Sequence, residues 1–299
     1  MVAKLIATNV IVFIFIQIAI LGGFLSQSSV NIESLVCDYL AVPASFNRLA
    51  SLFYTPFTYM FLHTSFWHIF GNMLWLYFLG KVFLNVFDGR RLLAVYILGG
   101  ITGAAFFIAA YNIFPVFAPV LEASYALGAS AAVSAVVIAV CVYRPNEQLW
   151  FFGLLPLSLK WLGIIYVAID ILSIAGTNPG GHISHLGGAA FGAAFALALR
   201  NGTDITRWLC SMIDSIVSWF GIGSNSNTAK KPKMKVSYRK NDTYTPYEEA
   251  TTTTSDQDFN RRKNDEQEKI DRILEKISKS GYNNLSKEEK DFLFKMSRK

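Results

Sequence analysis

Four histidines, one serine and one asparagine stand where polar side chains are expensive. The histidines are His63, His68, His182 and His185, and none lies in the polar last quarter of the chain, where a solvated imidazole would cost nothing. Polar groups at membrane depth are costly and usually mark function. Ser130 sits in Leu127-Gly128-Ala129-Ser130-Ala131-Ala132, with only small residues on either side of it. A serine in a spanning helix ordinarily bonds back to its own backbone. However, His185 opens His185-Leu186-Gly187-Gly188-Ala189-Ala190-Phe191-Gly192, where Gly188 and Gly192 form a small-xxx-small face that lets backbones approach closely. Helices in such contact can bring a hydroxyl and an imidazole within hydrogen-bond reach, as a nucleophile and its general base require. On spacing alone, tight packing with polar contacts explains the same residues equally well.

The elements that must position these groups are apolar helices. Of the 299 residues, 53% are hydrophobic and 16% charged, against about 25% charge in a soluble domain. Charge is scarce up to Arg200 and crowded in the last quarter. Six predominantly apolar stretches, near 5–25, 66–86, 92–114, 125–143, 157–175 and 182–199, are each close to the roughly 20 residues that a spanning helix needs. The first is too long for a signal-peptide core and has no A-x-A-like site after it, so a retained span is expected. The three cysteines, Cys37, Cys141 and Cys210, show no paired spacing and suggest neither a disulfide framework nor a thiolate metal site.

Charge sets the expected orientation. Lys81, Arg90 and Arg91 lie between spans two and three, Arg144 and Lys160 between four and five, and Arg200 and Arg207 after six. The opposite connections carry Glu33, Asp38 and Glu122, with Arg48 as the exception. The positive-inside rule then puts both termini in the cytoplasm. It also accounts for the net charge of +6 without nucleic acid as a partner. In this orientation spans two, four and six all run from outside to inside. His68, Ser130 and His185 each fall a few residues past the start of their span, about 5–10 Å below the outer surface. Asn72 follows His68 by four residues, on the same face and one turn deeper.

Four regions follow: a membrane domain over 1–200, an amphipathic interfacial helix over 201–223, a disordered linker over 224–263, and a small cytoplasmic helical hairpin over 264–299. Trp208, Leu209, Met212, Ile213, Ile216 and Val217 have helical spacing with polar residues opposite. Residues 224–263 are polar and include a threonine run at 251–254. Ile270, Ile273, Leu274 and Ile277 mark an apolar face, and Ser286-x-x-Glu289 offers a capping box for a last helix.

The chain resembles the rhomboid proteases. The pieces that match are Gly128-Ala129-Ser130, then His185-Leu186-Gly187-Gly188 with Gly192, and His63 with His68-Ile69-Phe70-Gly71-Asn72. They span roughly residues 47 to 200, in the family's order and on the expected helices. The tail is similar to a C-terminal extension of some bacterial rhomboids. The resemblance implies an all-α, six-helix polytopic bundle in a bacterial cytoplasmic membrane, with an active site near the outer face and no cofactor. It implies a Ser–His dyad without a third carboxylate, cutting single-span membrane proteins near the outer end of their helix. Ser130 would attack the scissile carbonyl and His185 would carry the proton to the leaving amine. The Ser130 N–H and the side chains of His68 and Asn72 would hold the oxyanion, beside Gly128. Such donors are each worth about 3 kcal/mol of barrier.

Three positions depart from the family's usual pattern: Ala131 and Ser134 where glycine and an aromatic are common, and Tyr54-Thr55 near the place of a Trp-Arg pair. His182 reads as structural glue, His63 as a structural loop residue, and Asp170 as a possible partner of a polar neighbour. Two other functions compete: an inactive relative that binds membrane clients, and a metal-dependent protein using the histidines, including the His182-x-x-His185 pair. No carboxylate motif joins those histidines in the sequence, and a metal would leave Asn72 and Ser130 unexplained. A transporter is disfavoured by the lack of an inverted repeat. Oligomeric state is not legible.

Overall fold

In a computed structural model, residues 1–151 and 155–219 are described, together with residues 273, 276, 277, 285, 286 and 288–290. The chain divides into two units, Met1–Ala229 and Lys230–Lys299.

The first unit is a bundle of six apolar helices with short elements between them. α1 (Val2–Leu25) is followed by a first connection that carries α2 (Ile32–Leu40), β1 (Val42–Pro43), α3 (Phe46–Ser51) and α4 (Thr55–Thr58). α5 (Phe66–Val86) and α6 (Gly89–Ile113) come next, then β2 (Tyr125–Ala126) and α7 (Ser130–Tyr143). β3 (Gln148–Phe151) and β4 (Leu155–Ser158) pair antiparallel before α8 (Leu159–Ser173), and α9 (Pro179–Arg200) and α10 (Arg207–Trp219) complete the unit. The protein is an all-α polytopic membrane protein of the expected kind, with two small two-stranded sheets added. α1, α5, α6 and α9 are long and apolar enough to cross a membrane by themselves.

Local chemistry explains the helix ends that matter. Ser65 caps α5 by accepting the His68 N–H, and Asp88 caps α6 by accepting the N–H groups of Arg90 and Arg91. Asn178 accepts the Gly181 N–H, with Pro179 in the first helical position where its missing donor costs nothing.

The fourth helix departs from expectation. It begins at Ser130 rather than near Tyr125, and its 14 residues span only about 21 Å of a roughly 30 Å apolar layer. Two features stop it from starting earlier. Tyr125 and Ala126 are paired antiparallel with Pro43 and Val42, and Gly128 has φ +116°, which no helix accommodates. Ser130 is therefore the first residue of a recessed helix, not a residue inside a long one. α7 is the centre of the bundle, with every residue from Ala131 to Cys141 buried. α6 and α9 pack on it through glycines. A Cβ at Gly188 would strike the Ala131 carbonyl, one at Gly192 the Ala135 carbonyl, and one at Gly99 the Ala135 side chain.

α10 has Leu209 buried and Trp208, Met212, Ile216, Val217 and Trp219 exposed. Arg90 pairs with Asp214 at 2.9 Å and Arg91 with Asp204 at 2.8 Å, tying this segment to the start of α6. The expected linker over 224–263 lies outside the described residues, as does most of the hairpin. Within the second unit Ile273 and Leu285 are buried. The capping box is formed: Glu289 N–H donates to Ser286 Oγ at 3.2 Å, and Ser286 N–H to Glu289 Oε2 at 2.7 Å.

Candidate active site

Ser130 and His185 line one cavity of about 730 Å³, together with His68, Asn72, Tyr166 and Asp170. Four of the expected site residues reach it from three helices: His68 and Asn72 from α5, Ser130 from the first turn of α7, and His185 from the second turn of α9. The Ser130 hydroxyl has no hydrogen-bond partner among the described residues, and neither does its backbone N–H. A serine at the start of a helix thus offers a free hydroxyl and a free amide at the positive end of the helix dipole. There is no direct Ser130–His185 hydrogen bond among the described residues, and such bonds are often long before substrate binds.

Gly128 shapes the donor side. Its N–H donates to the Tyr59 carbonyl at 2.9 Å, and the Tyr59 hydroxyl donates to the Gly100 carbonyl at 2.5 Å. The turn before Ser130 is thereby anchored to α6. The missing side chain at Gly128 is where the His68 ring lies.

His63 does more than hold a loop. It is buried completely, packs edge-on against His68 with ring centroids 5.0 Å apart, and accepts the Ala129 N–H on Nε2 at 3.3 Å. An amide only donates, so Nε2 must be unprotonated. Burial, with His68 adjoining, pushes the imidazole down to about 3 and keeps it neutral. The same Nε2 lies 3.4 Å from Asn72 Nδ2, whose better bond is to the His68 carbonyl at 2.9 Å. One lone pair serves two donors at long range, so one Asn72 N–H is only weakly held. That N–H is free to turn to a stronger acceptor in the cavity at little cost.

The other side holds a carboxylate. Asp170, 5% exposed on α8, accepts at Oδ1 from His182 Nδ1 at 2.8 Å and from His185 Nδ1 at 2.9 Å. The expectation of a histidine with no carboxylate partner is therefore not met, and neither is that of histidines joined by no carboxylate. The cause is the packing of α8 beside α9, which pattern in one dimension does not carry. With Nδ1 turned to Asp170, Nε2 is the His185 nitrogen left without a partner among the described residues. An ionisable residue within an apolar helix is the signal the sequence offers. The ligand atoms of Asp170, His182 and His185 also lie within 4.8 Å of one another, a group that could hold a metal ion.

Ser134 stands one turn after Ser130, where an aromatic is common. Its hydroxyl bonds the Ser130 carbonyl at 2.8 Å and lies 2.7 Å from the Tyr166 hydroxyl. The aromatic near the site therefore comes from α8. Tyr166 also meets Trp75 of α5 edge-on, with ring centroids 5.7 Å apart.

A free hydroxyl, an imidazole oriented from behind and converging N–H donors are the parts that acyl transfer requires. The family model of the Rhomboid domain matches residues 50–202, and that of a family of unknown function (DUF6576) matches residues 253–299. RHOMBOID-like protein 12, mitochondrial, of Arabidopsis thaliana is 31% identical over 160 residues, which are 50% of this chain and 47% of that protein. The chain thus spans about half the length of that curated relative. Since the Rhomboid match covers half of the chain and takes in His68, Asn72, Gly128, Ser130 and His185, the chain belongs to the rhomboid family.

Proposed function

We propose that the protein is an intramembrane serine endopeptidase that hydrolyses peptide bonds in or near the outer end of a single-span substrate helix. The observation that carries the reading is the cavity in which Ser130, first in its helix, meets His185, His68 and Asn72. Ser130 Oγ attacks the scissile carbonyl while His185 Nε2 takes its proton. The Ser130 N–H, His68 and the weakly held N–H of Asn72 receive the oxyanion. His185 then protonates the leaving amine, and a water repeats the sequence on the acyl-enzyme. The positive residues between alternate spans support an orientation with both termini in the cytoplasm and the cavity toward the outer face.

Cleavage of a model single-span substrate in liposomes tests this. Wild type is expected to cut, with Ser130→Ala and His185→Ala inactive and chelators without effect. Undiminished cutting by Ser130→Ala would defeat the reading, and no cutting of several substrates would favour an inactive client-binding relative. One observation favours a second reading. The grouping of Asp170, His182 and His185 fits a metal ion, and loss of activity on chelation, restored by zinc, would favour it.

A further inference from the structure

We propose that Asp170 is the positioning carboxylate of a Ser130–His185–Asp170 triad, and that His182 holds that carboxylate from its other side. The inference rests on the protease reading and adds a group to it. Asp170 comes from a third helix, is almost fully buried, and has two imidazole N–H groups as its hydrogen-bond partners among the described residues. No Lys or Arg pairs with it among those residues. A buried carboxylate without a cation is costly unless its lone pairs are filled, and the two Nδ1–H donors fill them here.

The consequence for His185 is geometric and electrostatic. Donation of Nδ1–H to Asp170 fixes the tautomer with Nε2 free to accept, which is the form a general base must have. When the Ser130 Oγ–H proton moves to Nε2, the bond from Oγ to the substrate carbonyl carbon forms and the carbonyl electrons move to oxygen. His185 then carries a positive charge 2.9 Å from the carboxylate. Asp170 stays ionised throughout. The Nε2 proton leaves with the amine when the C–N bond breaks, and the pair returns to its starting state. In an apolar layer an imidazolium without such a partner would be strongly disfavoured.

His182 has a distinct part. It lies one turn outward on the same helix and donates to the same oxygen. With only His185 as donor, the carboxylate could swing with the ring; with His182 it is held between two points on α9.

The test uses the full-length protein in liposomes with a model single-span substrate. Asp170→Asn keeps the shape and removes the charge. Its kcat is expected to fall by about 10²–10⁴-fold with little change in KM, as for loss of the orienting carboxylate in serine proteases. His182→Gln is expected to lose less. Nitrogen-15 shifts of labelled imidazoles supply a readout that a merely structural role would not move. Wild-type His185 should carry its proton on Nδ1, and Asp170→Asn should shift it toward Nε2. An Nε2–H tautomer in the wild type overturns the proposal without any variant, whether or not Asp170→Asn folds. So does full kcat in Asp170→Asn while Ser130→Ala and His185→Ala are inactive, which leaves the dyad standing. Activity in Ser130→Ala instead defeats the protease reading itself. Loss of cutting on chelation, restored by zinc, makes Asp170 a metal ligand and rejects the triad.

Discussion

Gly128 and the His68 imidazole share a space with no room for one more carbon: a Cβ at position 128 would lie 2.6 Å from His68 Cε1 and 2.7 Å from Nε2. The same glycine has φ +116°, a conformation L side chains rarely adopt. One residue thus sets both the turn that delivers Ser130 to the head of α7 and the place of a donor beside it.

Gly128→Ala is therefore expected to harm activity beyond its cost to folding. The strained backbone costs about 1–3 kcal/mol, and the His68 ring must shift as well. Cleavage in liposomes should drop at least about tenfold, the scale of losing 1.4 kcal/mol of transition-state binding, while thermal unfolding in detergent falls only modestly. Equal and small losses in both would mean that His68 has no part in the reaction.

His63 allows a prediction with a sign. It accepts the buried Ala129 N–H, so His63→Ala should cost about 1–3 kcal/mol for the donor left unpaired. Its proton affinity adds a pH dependence. The folded protein keeps it neutral down to about pH 3, while the unfolded chain takes a proton near 6.5. Between those values the unfolded state binds more protons, so the contribution is whole above pH 6.5 and is lost as pH falls toward 3. The slope is at most about 1.4 kcal/mol per pH unit. Glutamine at this position can accept the same bond but does not titrate. The stability of wild type minus that of His63→Gln should therefore shrink as pH drops from 7 to 5, and a constant difference would contradict the buried neutral imidazole.

Much of this site was legible beforehand because it is written in residue types that a membrane makes expensive. Ser130 among small residues and His185 before Gly188 and Gly192 point to each other, and the glycines do let α9 meet the α7 backbone. What escaped depends on contacts with no periodic trace. Two-residue strands pairing Val42 with Ala126 leave no pattern in the sequence, yet they stop the helix of the fourth span from starting before Ser130. Asp170 reads as a partner for a polar neighbour and is one, but that the neighbour is His185, 15 residues on, depends on α8 leaning on α9. His63 is a loop residue as read, but its place against Ala129 and His68 joins segments with no periodic link between them.

The contact between α7 and α9 should be unforgiving. A side chain at Gly188 would meet the Ala131 carbonyl, next to Ser130, and backbone cannot step aside as a rotamer can. Gly188→Val is expected to lower stability by about 1–3 kcal/mol or more, as overpacked cores do, and to abolish cleavage. Gly22→Ala makes a useful control: nothing lies within 4 Å of its added carbon. It should leave cleavage unchanged and cost no stability, since alanine is favoured over glycine inside a helix by up to about 1 kcal/mol. Tolerance of Gly188→Val would show that the two helices separate more readily than their packing implies.

α10 carries an apolar surface of its own. Its apolar stripe, Trp208, Met212, Ile216 and Trp219, is exposed in the protein, while Asp214 and Arg90 hold the helix to the start of α6. An exposed stripe of this kind on a membrane protein, opposite a polar face, belongs in the interface between headgroups and acyl chains. Spin labels can locate it in liposomes, in a background where Cys37, Cys141 and Cys210 are replaced by serine. A label at Met212→Cys should be reached by oxygen, which concentrates in the apolar layer. One at Ser218→Cys, on the opposite face, should be reached by a water-soluble nickel chelate. If both labels prefer the chelate, α10 stands in water and its stripe awaits a protein partner instead. Asp214→Ala should then separate the two cases further: a membrane-held helix keeps its oxygen accessibility without the ion pair, because the buried apolar area dominates a surface pair worth about 0–1 kcal/mol.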